Sequence, residues 1–267
     1  MKSLRELMDL RGRVAIVAGG AGHIGRVVGD ALAEQGASIA VLDLTRDACV
    51  STADSIQDKH GVSTQAVPVD LEDEAAVRGV ADGVIERLGG LDILVHCAAL
   101  VGTSELPGWT TPFAEQDAGT WRRALEVNMT SLFILAQTCA AALGTSGHGS
   151  VITMGSLYAM VGPDMRMYEG TTMGNPAAYA ASKGGVLQLT RWLATVLAPE
   201  VRVNCVSPGG VWRDQPASFR ERFVNRTPLR RMATEEDLKG AVAYLASDLS
   251  AYVTGQNLIV DGGWTAW

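Results

Sequence analysis

Tyr179 and Lys183 stand four residues apart with no helix breaker between them, so on a helix they share one face. A free phenol titrates near about 10, and an ammonium beside it favours the phenolate and draws that value toward neutrality. The pair therefore offers a group able to give and take a proton at a carbon–oxygen centre. Two more polar side chains are suited to the same place. Asn128, in Glu126-Val127-Asn128-Met129, and Ser156, just after the apolar run Val151-Ile152-Thr153-Met154-Gly155, sit where they can meet Tyr179 at the C-terminal edge of a parallel sheet.

A second group of residues is suited to a phosphate. Ala18-Gly19-Gly20-Ala21-Gly22-His23-Ile24-Gly25 joins an apolar run to a helical pattern. Glycines permit a tight turn and let backbone N–H groups approach a diphosphate at a helix N-terminus, where the dipole favours negative charge. The spacing Gly20-x-Gly22-x-x-Gly25 fits a dinucleotide turn, and Asp43, ending the next apolar run, supplies the acid that such a unit needs. A carboxylate there accepts ribose hydroxyls and repels a 2′-phosphate, so NAD is expected over NADP. Arg46 is placed to offset that repulsion, and as an alternative Asp43 is only a turn or capping residue.

These residues need a scaffold, and the alternation of short Val/Ile/Ala-rich runs with longer helical patterns supplies one: a parallel sheet with helices on both faces. Strands are expected near 13–18, 38–42, 65–69, 93–97, 150–154, 202–206 and 257–260, with helices over 24–35, 46–59, 72–87, 119–143, 177–197 and 235–246. No linker divides the 267 residues, so one domain is expected. Two connectors, 100–118 and 157–176, are longer than a scaffold needs and are expected to form or cover a site. The second holds Met160, Met165, Met167 and Met173, which suits an adaptable ligand surface or, equally, ordinary gap filling.

Composition narrows the function classes. With 47% hydrophobic residues a large core is available, and 22 basic against 29 acidic residues give a net charge of −7, which excludes a broad nucleic-acid surface. Cys49, Cys97, Cys139 and Cys205 have no CxxC spacing, and His23, His96 and Cys97 have no metal-site arrangement, so neither a disulfide framework nor a metal is expected. The charged first residues do not resemble a secretory signal, and no run approaches about 18 apolar residues. A cytoplasmic location, without a membrane partner, is the expectation.

Taken together, these motifs resemble the short-chain dehydrogenase/reductase family over nearly the whole chain. Its Tyr-x-x-x-Lys matches Tyr179-Ala180-Ala181-Ser182-Lys183, and its Ser and Asn match Ser156 and Asn128. Ser207-Pro208-Gly209-Gly210 and Tyr252-Val253-Thr254-Gly255-Gln256 with Asp261-Gly262-Gly263 are also family-like. The resemblance implies a single Rossmann-like doubly wound domain in which Tyr179 exchanges a proton with substrate and Ser156 hydrogen-bonds the substrate oxygen. By the same resemblance Lys183 binds nicotinamide ribose and lowers the phenol, and Asn128 holds a relay water. It implies cofactor positions at Gly19, Gly22, His23, Ile24, Gly25, Asp43, Asp70, Leu71, Ala98, Tyr179, Lys183, Pro208, Gly209 and Val211. Two departures stand out: Ala18 and His23 replace the usual Thr and middle Gly of the first turn, and His96-Cys97-Ala98-Ala99 replaces Asn-Asn-Ala-Gly, removing an Asn that usually supports the adjoining strand.

For substrate, Tyr168 has Thr172 rather than Lys four residues on and is assigned to the substrate pocket. Between 213 and 231 lie six arginines, Arg213 first, against Asp214 and Glu221, which suits an oxyanion or a merely solvated helix face. The segment from Tyr168 to Tyr179, with the ending Gly262-Gly263-Trp264-Thr265-Ala266-Trp267, is similar to a bacterial subgroup linked to flagellin-modifying, legionaminic-acid-type sugar pathways, which implies a phosphorylated or nucleotide-linked amino sugar. The alternatives are a 3-oxoacyl or small-alcohol reductase and a non-catalytic NAD-binding sensor. Helix 177–197 carries only Lys183 and Arg191 as charges, so a second subunit is expected to cover it. The family resemblance implies a homotetramer, or else a homodimer, with Trp264 and Trp267 at or near another interface or, alternatively, buried within one chain.

Overall fold

In the computed structural model, which describes residues 1–102 and 104–267, the apolar runs form one parallel sheet. Its strands are β1 (Val14–Ala18), β2 (Ser38–Asp43), β3 (Thr64–Pro68), β4 (Ile93–His96), β5 (Gly149–Met154), β6 (Val201–Pro208) and β7 (Asn257–Val260), in the order β3-β2-β1-β4-β5-β6-β7. The order reverses between β1 and β4, which leaves a crevice beyond the C-terminal ends of those two strands.

The helices are α1 (Leu4–Met8), α2 (His23–Glu34), α3 (Arg46–His60), α4 (Glu74–Arg78), α5 (Val80–Leu88), α6 (Ala118–Leu125), α7 (Ser131–Thr145), α8 (Ala177–Val196), α9 (Ala217–Arg226) and α10 (Lys239–Ala246). Alternation along the strands builds two cores. Val14, Ile16 and Ala18 of β1 face α4, α5, α7 and α8 through Val84, Leu135, Leu143 and Leu193. Ala15 and Val17 face α2, α3 and α10 through Val28, Leu32, Ile56 and Leu245. Both faces are thus dry, which is why the strands read as continuous apolar runs.

Three expected helices differ in the fold, and a further one, α9, was not expected. The helix expected over 72–87 breaks at Gly79 into α4 and α5. The one expected over 119–143 is interrupted by a single π turn, Glu126–Thr130. The one expected to start at 235 opens with a 3-10 turn, Glu235–Leu238, before α10. Helix α9 was hidden by its arginines: Phe219 and Phe223, one turn apart, are its buried stripe. The joined segment Ala118–Thr145 is also longer and more apolar than expected, with mean hydropathy 1.4, enough to cross a membrane by composition. In the fold Leu132, Leu135, Cys139 and Leu143 of that segment are completely buried in the protein core.

Candidate active site

The glycine turn leaves β1 and enters α2. Gly19 has φ +72°, and a Cβ there would lie 2.6 Å from the Ala98 amide nitrogen, while a Cβ at Gly25 would overlap the Gly19 carbonyl oxygen. Only glycine fits either position. The N-terminus of α2 has Gly22 as its cap, with no side-chain bond to the first amides, so those N–H groups remain available to an anion. Asp43, at the end of β2, accepts hydrogen bonds from the amides of Ala21 (3.0 Å) and Leu44 (2.8 Å), which fixes its carboxylate beside the turn. These features fit a dinucleotide. His23, in place of the usual glycine, is the first residue of α2 and points exposed into the crevice, so the altered turn still closes, with Gly22 capping the helix.

A cleft of about 600 Å³ opens from this turn across the ends of β4, β5 and β6. Of the expected cofactor positions, His23, Ile24, Tyr179, Lys183, Pro208, Gly209 and Val211 line it. Gly19, Gly22, Gly25, Asp43, Asp70, Leu71 and Ala98 do not. Those in the second group lie at or just after the ends of β1–β4 along the same sheet edge; Asp70 accepts from the Glu72 amide at 2.9 Å.

The polar cluster lies at the cleft floor. Ser156 follows β5 and caps a 3-10 turn by accepting from the Tyr158 amide at 3.1 Å. Tyr179 and Lys183 share the inward face of α8, with the Lys183 ammonium 5.8 Å from the Tyr179 ring centre. Lys183 is 3% exposed and donates to the Met154 carbonyl at 2.8 Å. Burial lowers its ammonium to about 8, against the opposing pull of the thiols of Cys205 and Cys97. For Tyr179 the expected lowering is not the net result. Burial pushes the phenol above its ordinary value, and the Ser156 hydroxyl and the charge of Arg213 only partly reverse this. The reason is the dry floor: the ammonium, 5.8 Å from the ring centre, does less for the phenolate than desolvation does against it.

Asn128 is buried behind the floor and does not line the cleft. Its carboxamide oxygen accepts from the Leu100 amide (2.7 Å), and its NH₂ donates to the Leu100 carbonyl (3.2 Å) and the Ser182 hydroxyl (2.9 Å). Both amide hydrogens are therefore committed to protein.

The outer wall was only partly legible beforehand. Tyr168 lines the cleft as expected, but its phenol is bonded to that of Tyr158 at 2.8 Å, and Tyr158 carried no spacing signal to mark it. Tyr168 packs on Phe219 (5.4 Å between ring centres), Phe219 on Phe223 (6.0 Å), Phe223 on Trp264 (6.1 Å) and Trp264 on Tyr158 (6.4 Å). The five rings close a circle that joins the 157–176 connector, α9 and the segment after β7. Met167 is buried in this cluster and Met173 packs against it, whereas Met165 is exposed. Trp264 is therefore buried within its own chain at 1% exposure, and Trp267 is exposed.

The arginine patch dissolves into separate contacts. Arg220 lies over Trp212, Arg222 donates to the Met167 and Glu169 carbonyls, Arg226 pairs with Asp164, Arg230 donates to the Asn225 carbonyl and Arg231 pairs with Asp237. Of the six, Arg213 alone lines the cleft, with Glu235 3.2 Å away.

A family model described as enoyl-(acyl carrier protein) reductase matches residues 19–265. The chain is 32% identical over 259 residues to cis-4-hydroxycyclohexanecarboxylate dehydrogenase of Sinomonas cyclohexanicum, covering 95% of this chain and 97% of that protein. It superposes on the crystal structure of a short-chain type dehydrogenase/reductase from Mycobacterium marinum with a TM-score of 0.86, at 32% identity and over 100% of both chains. A gluconate 5-dehydrogenase from Burkholderia cenocepacia J2315, in complex with NADP and tartrate, also gives 0.86, at 28% identity over 99% of this chain and 100% of that one. With the parallel sheet, the glycine turn and the Ser156–Tyr179–Lys183 cluster beyond the end of β5, these likenesses establish that the chain belongs to the short-chain dehydrogenase/reductase family, oxidoreductases that act on CH–OH groups with a nicotinamide cofactor.

Proposed function

We propose that the protein is an NAD-dependent oxidoreductase that interconverts a secondary alcohol and a ketone on an anionic, hydroxylated, ring- or sugar-like substrate. The observation that carries this reading is Arg213, whose side chain shares the cleft with Tyr179 and whose charge acts on the phenol. Bound nicotinamide supplies or accepts the hydride. Tyr179 gives a proton to the ketone oxygen in reduction and takes it from the hydroxyl in oxidation, and Ser156 donates a hydrogen bond to the same oxygen. Lys183, held by Met154, orients the cofactor ribose and supplies positive charge beneath the phenol. The uncapped amides of α2, with His23 and Ile24, hold the diphosphate, and Asp43 takes the adenosine ribose hydroxyls. Asp70, Leu71 and Ala98 flank the adenine half, and Pro208, Gly209 and Val211 the nicotinamide half.

One cation already shared with Glu235 suits a single carboxylate or phosphate better than a nucleotide diphosphate, so the reading leans away from a nucleotide-linked sugar. The relative from Sinomonas, a hydroxycyclohexanecarboxylate dehydrogenase, supports the same lean. The apolar wall of Phe219 and Phe223 favours a second reading, a 3-oxoacyl or small-alcohol reductase. Exposed Trp192 and Val196 on α8 and Phe133 on α7 support the expected homotetramer or homodimer, and a cytoplasmic location remains part of the proposal. The test is turnover with NAD of a hydroxycyclohexanecarboxylate, a sugar phosphate, a nucleotide sugar, a neutral polyol and a 3-hydroxyacyl thioester side by side. The anionic ring compounds should lead; a neutral polyol in first place refutes the anionic substrate, and a leading thioester gives the second reading.

A further inference from the structure

We propose that His96 and Ser131 form a two-link hydrogen-bond brace that holds the π turn of the α6–α7 segment in place and thereby positions Asn128. The first link follows from the turn itself. In a regular helix the Ser131 N–H would bond the Val127 carbonyl, four residues back. Here it bonds the Glu126 carbonyl, five back, so Val127 loses its ordinary partner. The Ser131 hydroxyl replaces it, donating to the Val127 carbonyl at 2.7 Å.

The second link follows from proton counting. A hydroxyl has one hydrogen, and that of Ser131 is committed to Val127, so the 2.8 Å contact between the Ser131 oxygen and His96 Nε2 requires the imidazole to donate. His96 is therefore the neutral Nε2–H tautomer. Burial agrees, lowering the ring to about 3, with the charge of Lys183 adding to the effect. His96 and Ser131 are 2% and 0% exposed, so water cannot stand in for either partner.

The same device recurs one strand away. Thr153 is the register partner of His96 on β5, and its hydroxyl meets that of Thr190 at 2.7 Å while Thr190 donates to the Val186 carbonyl at 2.8 Å. Neighbouring strand positions thus each grip a helix that carries site residues: β5 holds α8 with Tyr179 and Lys183, and β4 holds the π turn with Asn128. Without the extra residue of the π turn, Asn128 would rotate by roughly a quarter turn about the helix axis and leave Leu100 and Ser182. Since Ser182 in turn donates to the Tyr179 carbonyl at 2.8 Å, the brace reaches the first turn of α8. His96 and Ser131 are positioning residues, and neither touches the cleft.

This inference rests on Asn128 belonging to the reactive centre, and its test separates the two. Crystal structures of Ser131→Ala and His96→Phe are expected to show a regular α-helix through 126–131, with the amide of residue 131 returned to Val127 and Asn128 withdrawn from Leu100 and Ser182. His96→Gln, which keeps a donor at similar reach, should retain the π turn. In assays with cis-4-hydroxycyclohexanecarboxylate and NAD, Ser131→Ala and His96→Phe should each lower kcat about tenfold while KM and NADH affinity stay within about twofold, and His96→Gln should keep the wild-type kcat that His96→Phe loses. A Ser131→Ala structure that keeps both the π turn and the Asn128 contacts overturns the brace. A wild type inactive on every alcohol tested overturns the functional reading instead, and the structures still decide the brace. Should Ser131→Ala fail to fold, His96→Phe against His96→Gln makes the same comparison.

Discussion

Replacing Asp43 by Asn tests the cofactor preference without any knowledge of the substrate. The carboxylate is fixed by two amides, so it cannot swing away from a 2′-phosphate placed at the ribose. For one charge against two, about 5 Å apart at an effective dielectric of about 55, between the protein-surface and bulk-water values, Coulomb's law gives about 2.4 kcal/mol. That is about fiftyfold in Kd. Asn keeps an oxygen for the Ala21 amide and the shape of the turn but removes the charge. Titrations followed by NADH and NADPH fluorescence should therefore show wild type binding NADH about fiftyfold tighter than NADPH, and Asp43→Asn within about fivefold. Arg46, exposed at the first position of α3, sets the direction of error: if it reaches the phosphate, the wild-type ratio shrinks. Equal affinities in wild type, or a ratio unmoved by the substitution, refute the reasoning.

Tyr179→Phe should bind NADH as wild type does and lose about 10²–10⁴ in turnover, since only the proton-transferring oxygen is removed; a variant with undiminished activity removes the phenol from the mechanism. Because burial raises Tyr179, the protonated form prevails at neutral pH, so oxidation should accelerate as pH climbs from 6 to 9 and reduction should not, in initial-rate profiles of both directions. Lys183 titrates at about 8 in the fold against 10.5 when free, a difference of about 3 kcal/mol against the charged form. The unfolded chain binds the extra proton between those values, so this cost to the fold is full below pH 8 and gone above about 10.5. Lys183→Met, after deducting about 1–3 kcal/mol for the unpaired Met154 carbonyl, should thus be about as stable as wild type or slightly more so at pH 7 and less stable at pH 10.5 by thermal melts; the opposite order refutes the buried charge. Arg213→Ala should raise KM at least about tenfold for anionic substrates and leave neutral ones within about twofold.

The strands were legible because the central strands are buried on both faces and run mostly through Val, Ile, Leu and Ala, and Tyr179 and Lys183 were legible because a helix enforces their spacing. Polar geometry was not. The π turn at Asn128 depends on a hydroxyl and an imidazole that are distant in sequence, so periodicity alone read one continuous helix. The direction of the Tyr179 shift needed the depth of the floor, which spacing does not contain. Arginine counts suggested a patch, but the guanidiniums are held one by one by separate partners, among them Asp164, Asp237, the Trp212 ring and the Asn225 carbonyl. Helix α9 was passed over for the same reason, although Phe219 and Phe223 held the needed signal.

The closed circle of five aromatic rings bears on how substrate choice can be altered by mutation. Each ring leans on two others drawn from three separate stretches of chain, so reshaping the wall at Phe219 shifts Tyr168 and Phe223 as well. Substitutions within the circle will combine non-additively. Libraries that vary one member at a time will sample mostly damaged pockets, whereas paired changes across contacting rings preserve closure and open routes to new substrates.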